Sequence, residues 1–139
     1  MKTVFCPECG AALKVIYKTE AFNDWKFCQK CNEPSYILAH EDGRVFVKSL
    51  KQTIAESPAK KNLVKALEFM LKNGQCHIED VVFVAGKAAE AEIHKLHSMK
   101  VLDKFGYAYG IKNSLENAVE RDIEPYLEKP SDMLEEFTE

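Results

Sequence analysis

Four cysteines stand in two short pairs, Cys6-Pro7-Glu8-Cys9 and Cys28-Gln29-Lys30-Cys31, with 18 residues between the pairs. A two-residue spacing lets a tight turn bring both sulfurs of a pair to one side, where backbone N–H groups can point at them. Two such knuckles complete a tetrahedron of thiolates around one ion, with metal–sulfur distances of about 2.3 Å. Each pair is followed by a residue suited to positive φ. Gly10 has no Cβ, and Asn32 is among the side chains that tolerate the left-handed region. The pattern predicts one structural Zn2+ held by Cys6, Cys9, Cys28 and Cys31. A four-thiolate set leaves no open coordination position, so such an ion folds its segment and performs no chemistry. Two disulfides would need an oxidising compartment, and a redox C-x-x-C normally occurs singly beside a βαβ pattern; neither context is visible.

The other reactive side chains form no catalytic set. Cys76 is followed at once by His77, but adjacent residues rarely face each other, and no acidic orienter or oxyanion motif accompanies them. Cys76 is expected to be a semi-buried structural thiol. His40, His94 and His97 make no metal spacing with a carboxylate. There is no Gly-rich phosphate loop, no paired catalytic carboxylates on a recognisable scaffold and no nucleophile elbow, so the chain is not expected to be an enzyme.

The elements that must position the cysteines are short strands. Residues 11–18 are strand-like, Trp25-Lys26-Phe27 leads into the second knuckle, and residues 35–39 and 45–47 flank a turn at Asp42 and Gly43. Asp-Gly between apolar runs is the strongest short hairpin signal in the chain. A unit of about 50 residues has too little core to stand without its metal. Over residues 1–50 the sequence resembles the zinc-ribbon class found in transcription, replication and ribosomal proteins. That resemblance implies a β fold and says little about function, because ribbons bind DNA, RNA or protein, or merely brace a neighbour. A rubredoxin-like electron carrier, with iron on the same four cysteines, is the competing resemblance. Phe22, Trp25 and Tyr36 could form an exposed contact face, although such aromatics more often fill the small core.

After a linker near residues 50–56 the texture changes. Ser57 and Pro58 read as an N-cap and first helical residue, and Leu63, Val64, Leu67, Met70 and Leu71 then make one apolar stripe at helical spacing. Asn73 and Gly74 close it. Residues 78–85 are rich in β-branched side chains, yet Ile78, Val81, Val82 and Ala85 mark one helical face, which favours a short helix before Gly86. The next helix spans residues 87–100. Its wheel sends Ala89, Ile93, Leu96 and Met99 to a core and Lys87, Ala91, His94, Lys95 and Ser98 to the opposite side, with Glu90 and Glu92 on the flanks. Two strand-like runs about Gly106 follow.

Three helices and a small hairpin are the order of a winged helix, and the run Leu96, Leu102, Gly106, Tyr107, Tyr109, Ile111 looks like the end of a recognition helix and the wing of winged-helix regulators. The resemblance covers about residues 57–112. It implies that the third helix enters a major groove with Lys87, His94, Lys95 and Ser98 as contacts. It also implies that the hairpin, with Lys104, Tyr107 and Lys112, lies along backbone or minor groove. An ordinary three-helix domain that leaves nucleic acid alone is the plainer alternative. Two lysines on the exposed face are few for a DNA reader, and winged helices also bind proteins.

The fold class expected is therefore α+β: a zinc ribbon over 1–50, a winged-helix-like domain over 51–112, and a C-terminal helix with an acidic tail over 113–139. Ser114 reads as the cap of that last helix, which carries Leu115, Ala118, Val119, Ile123 and Tyr126, with a kink at Pro125. It could pair with its twin in a homodimer or pack on its own domain. A net charge of −3 over 139 residues hides an asymmetry: the three segments carry +1, +3 and −7. The acidic end, with Met133, Leu134 and Phe137 interspersed, suits either a solvated tail or one that competes for a basic DNA face. No stretch approaches about 18 uninterrupted apolar residues and no apolar secretory signal opens the chain, so a cytoplasmic protein without a membrane span is expected. The functional expectation is a zinc-containing DNA-binding transcriptional regulator. A protein-binding adaptor, for example on RNA polymerase, is the alternative.

Overall fold

The computed structural model describes residues 1–127; the acidic tail, 128–139, lies outside the described residues. Among the described residues, eight short strands and five α-helices make a β-rich N-terminal part, to Ser49, and a mainly helical part after it, a mixed α+β architecture. Strands β1 (Lys2–Phe5) and β2 (Ala12–Ile16) form an antiparallel hairpin that opens at a register shift after Val4. Strands β3 (Phe22–Phe27), β4 (Pro34–Ala39) and β5 (Val45–Ser49) make an antiparallel sheet in the order β3-β4-β5. The β4–β5 turn is the expected Asp-Gly turn: Gly43 has φ +93°, and the Arg44 N–H donates to the Asp42 carboxylate at 3.1 Å.

The sheet has two faces because strand side chains alternate. Ile37 and Ala39 join Val4 and Ile16 in a small core under the first hairpin. Tyr36, with Trp25, Phe27 and Leu38 packed behind it, joins the large core of the helical body. The aromatics considered as an exposed face are therefore mostly packing residues. Tyr36 is buried, Trp25 is half-buried, and Phe22 rests against the small core.

The stretch expected to be a linker is a helix, α1 (Leu50–Ala55). Ser49 closes β5 and caps α1, its Oγ accepting from the Gln52 N–H at 3.0 Å while the Gln52 side chain accepts from the Ser49 N–H at 3.1 Å. This is a complete capping box. Leu50 and Ile54 are fully buried, which gives the short helix a reason to exist that its length alone does not.

Helix α2 (Lys60–Asn73) starts later than Ser57 and Pro58 suggested. Ser57 instead accepts from the Ala59 N–H at 3.3 Å and donates its hydroxyl to Glu92, so it stabilises the turn before the helix. Leu63, Val64, Ala66, Leu67 and Met70 are its buried stripe, and Gly74 (φ +74°) ends it as expected. Strand β6 (Cys76–His77), helix α3 (Ile78–Ala85), helix α4 (Ala89–Ser98) and strands β7 (Leu102–Phe105) and β8 (Ala108–Ile111) follow, with sheet order β6-β8-β7. The ambiguous apolar run is thus a helix, capped by His77, whose Nδ1 accepts from the Glu79 N–H at 3.1 Å.

Ser114 lies inside a 3-10 turn (Asn113–Leu115) rather than capping the last helix. Helix α5 (Glu116–Ile123) gives way to a second 3-10 turn (Glu124–Tyr126) at Pro125, whose missing N–H cannot continue the α pattern. Ala118, Val119 and Ile123 enter the same core as Leu63, Leu67, Ile93 and Leu96, so the apolar stripe of α5 is covered within the chain. Each of these large side chains contributes about 1.5–3 kcal/mol by leaving water.

Candidate metal centre and the exposed face of α4

The two knuckles are built alike. The Cys6 N–H donates to the Ala11 carbonyl at 2.7 Å and the Gly10 N–H to the Cys6 carbonyl at 2.9 Å. In the second knuckle the Cys28 N–H donates to the Glu33 carbonyl at 3.0 Å and the Asn32 N–H to the Cys28 carbonyl at 2.8 Å. Gly10 and Asn32 occupy matching left-handed positions, φ +81° and +62°. The hairpins bring all four sulfurs within 4.8 Å of one another, with Cys6 and Cys31 Sγ 3.7 Å apart and Cys9 and Cys28 Sγ 3.4 Å apart. Metal–sulfur bonds of about 2.3 Å set tetrahedral sulfur–sulfur edges of about 3.8 Å, so the set fits a single ion such as zinc.

The electrostatics point the same way. The Cys31 backbone N–H, 3.5 Å from the Cys28 sulfur, holds the Cys28 thiol down at about 6. Cys31 is held down by the Glu33 backbone, but burial and the three neighbouring thiols outweigh this and push it up to about 12. Cys9 is likewise raised: burial and neighbouring thiols overcome the Ala11 backbone. Four sulfurs this close resist ionising together unless a cation neutralises them, which is the service a soft divalent ion performs.

Two carboxylates beside the ligands tie the centre to the helical body, and sequence reading did not single them out. Glu8, inside the first knuckle, accepts from the Ser49 hydroxyl at 2.9 Å. Glu33, two residues after Cys31, accepts from the Lys51 N–H of α1 at 2.9 Å and from Arg121 Nη2 of α5 at 2.7 Å. Burial, with the Asp122 carboxyl nearby, raises Glu33 to about 7. The seam continues elsewhere: the Trp25 indole N–H donates to the Met99 carbonyl at 2.7 Å, and Lys100 Nζ donates to the Asn23 carbonyl at 2.8 Å. Their partners lie more than 70 residues away in sequence, beyond the reach of any local pattern.

Helix α4 is shorter than the 87–100 span expected, so Lys87 lies in the turn before it rather than on its wheel; Lys87 is exposed, as are His94, Lys95 and Ser98 on the helix itself. Tyr109 joins this face to the hairpin. Its hydroxyl lies 3.4 Å from His94 Nδ1, and Lys104 Nζ sits 5.6 Å from its ring centre. Tyr107 projects from the hairpin turn beside His77, with ring centres 5.8 Å apart. Lys112 is not on this surface: its Nζ lies 3.4 Å from Asp24 of β3, at the seam. The two flanking glutamates part company. Glu90 is exposed near His94, whereas Glu92 is buried against Ser57. Cys76 is buried, its thiol directed at the Gly74 carbonyl and raised chiefly by burial, so it and His77 have separate structural tasks.

Among the described residues no helix is long and apolar enough to cross a membrane. Comparison with protein-family models, with curated proteins and with solved structures finds no match in any of the three. The chain is thus defined by its own geometry, a mixed α+β body carrying a four-cysteine cluster that can bind one metal ion.

Proposed function

We propose that the chain is a zinc-containing DNA-binding protein that regulates transcription, with Cys6, Cys9, Cys28 and Cys31 holding a structural Zn2+. The observation that carries the DNA reading is the exposed face of α4, continuous through Tyr109 with Lys104 of the hairpin. The element order α2, β6, α3, α4, β7, β8, with β8 between β6 and β7, supports the winged-helix resemblance. In that geometry α4 enters the major groove and the hairpin follows the backbone. Withdrawal of Glu92 from the surface removes one of the two charges that would repel phosphate. Lys112, paired with Asp24, drops out of the contact set, leaving Lys87, His94, Lys95, Ser98, Lys104 and Tyr107. The metal, on this reading, folds the N-terminal sheets and takes no part in chemistry.

A gel-shift survey of the zinc-loaded protein on genomic DNA fragments, with salt varied, tests the proposal. Lys87→Glu with Lys95→Glu should weaken binding and flatten log K against log salt by roughly 0.9 per lost phosphate contact. Zinc content and melting should stay at wild-type values. A wild type that binds no DNA defeats the reading. A protein-binding adaptor of a nucleic-acid machine then takes its place. One observation favours that second reading: Phe83 is 90% exposed beside Val84 on α3, whose first turn carries Glu79 and Asp80.

A further inference from the structure

Between the β5 edge of the three-stranded sheet and α4 lies an open cleft of about 520 Å³, within the range of small-ligand sites. Strand register creates it. Leu38 pairs with Phe46 and Tyr36 with Lys48, so all four side chains share the sheet face that leans on the helical body. Tyr36 and Leu38, with Met99 from the end of α4, line the inner surface. Phe46 overhangs them, 47% exposed, with its ring edge-on to Tyr36 at 6.4 Å. Tyr36 in turn sits 5.6 Å from Trp25, whose indole is anchored on Met99, so the aromatic row is fixed in place.

The rest of the lining is polar: Lys48, Lys95 and Ser98. Lys95 meets no carboxylate among the described residues, while Lys48 lies 3.6 Å from Glu56. An apolar wall with one half-exposed ring, beside an uncompensated ammonium, matches a ligand that is aromatic at one end and anionic at the other. A base still in a duplex is held in its stack and cannot enter such a cleft, whereas an unpaired one presents its whole π-face. We propose that this cleft takes an unpaired nucleotide of a nucleic-acid strand, its base against the Phe46 ring and its phosphate at Lys95. The inference rests on the DNA-binding reading in so far as α4 lends Lys95 to both, but Phe46 belongs to the cleft alone.

Fluorescence anisotropy on the full metal-loaded chain separates the two. The probes are labelled oligo(dT) and oligo(U) of about 12 nucleotides, and a short blunt duplex. Phe46→Ala should weaken both single strands about tenfold, the scale of one lost stacking contact, and leave the duplex unaffected. Phe46→Trp should restore binding, and melting should be unchanged because the ring is half in solvent. Single-strand binding that falls in Phe46→Ala upholds the cleft, and a preference for oligo(dT) or oligo(U) tells which of the two strands, differing in both sugar and thymine methyl, it favours. A wild type that binds duplex but no single strand overturns the cleft and leaves the DNA reading intact; one that binds neither overturns both. Wild-type affinity for oligo(dT) in Phe46→Ala also overturns the cleft.

Discussion

The N-terminal sheets and the helical body use different means to stay folded. The small core of the sheets consists of Val4, Ile16, Ile37 and Ala39; β1 and β3 lead into the knuckles and β2 and β4 lead out of them. The helical body closes a continuous core that runs from Tyr36 and Leu50 through Leu67, Ile93 and Leu96 to Ile123. The second region has a large apolar core and the first a small one, so in the first an ion bound by the four cysteines would supply free energy that burial does not. With the metal bound as proposed, coordination would substitute for buried area, and the two regions should fail under different insults.

The largest effect follows from removing a ligand. Cys28→Ser should abolish metal binding and with it a folding contribution on the order of 10 kcal/mol, unfolding residues 1–49. Elemental analysis should find about one zinc and little iron in the wild type and neither in the variant. Amide hydrogen exchange should show lost protection in β1–β5 and retained protection in α2 and α4. A red protein with a thiolate–iron absorption band would instead move the reading to the electron carrier.

Leu67→Ala makes the converse test. It opens a cavity in a fully buried part of the helical core and should cost about 2–5 kcal/mol, read by urea unfolding. Zinc content should be unchanged under native conditions; loss of zinc there would show that the regions do not stand on separate supports. Arg121→Ala probes the seam between them. It removes the guanidinium that meets Glu33, and a charged hydrogen bond to a buried carboxylate makes a loss of about 1.5–3 kcal/mol the expected result. Smallest is Cys76→Ala, which should leave metal content untouched and shift stability by about 1 kcal/mol; a drop in zinc would mean the ligand set has been misassigned.

What was legible in the sequence was local. The C-x-x-C spacing, with Gly10 and Asn32 behind it, located the knuckles, and Asp42-Gly43 located a hairpin, because these depend on φ and on turn closure within a few residues. The helical stripe of α2 and the inward face of α4 were legible for the same reason. Helix α1 was missed although its capping box, Ser49 to Gln52, is written in the chain; only the burial of Leu50 and Ile54 by distant partners makes six residues worth folding. Glu92 looked like a surface flank because its partner, Ser57, precedes it by 35 residues. Glu8 and Glu33 could not be weighed until α1 and α5 were in place. Phe46 was overlooked for a related reason: period-two alternation puts it on the face with Tyr36, but nothing local says that the face is left half covered.

Ser49 is both the final residue of β5 and the cap of α1. A chain that turns from strand to helix within one residue has no hinge there, and Glu8 holds that residue by its hydroxyl. The sheets and the helices therefore form a single lever rather than two beads on a string. Their relative orientation is set before any ligand arrives, so binding across them carries little cost for ordering the protein. On the proposed reading, the adaptation then falls to the nucleic acid, which has to follow a shape the protein has already fixed.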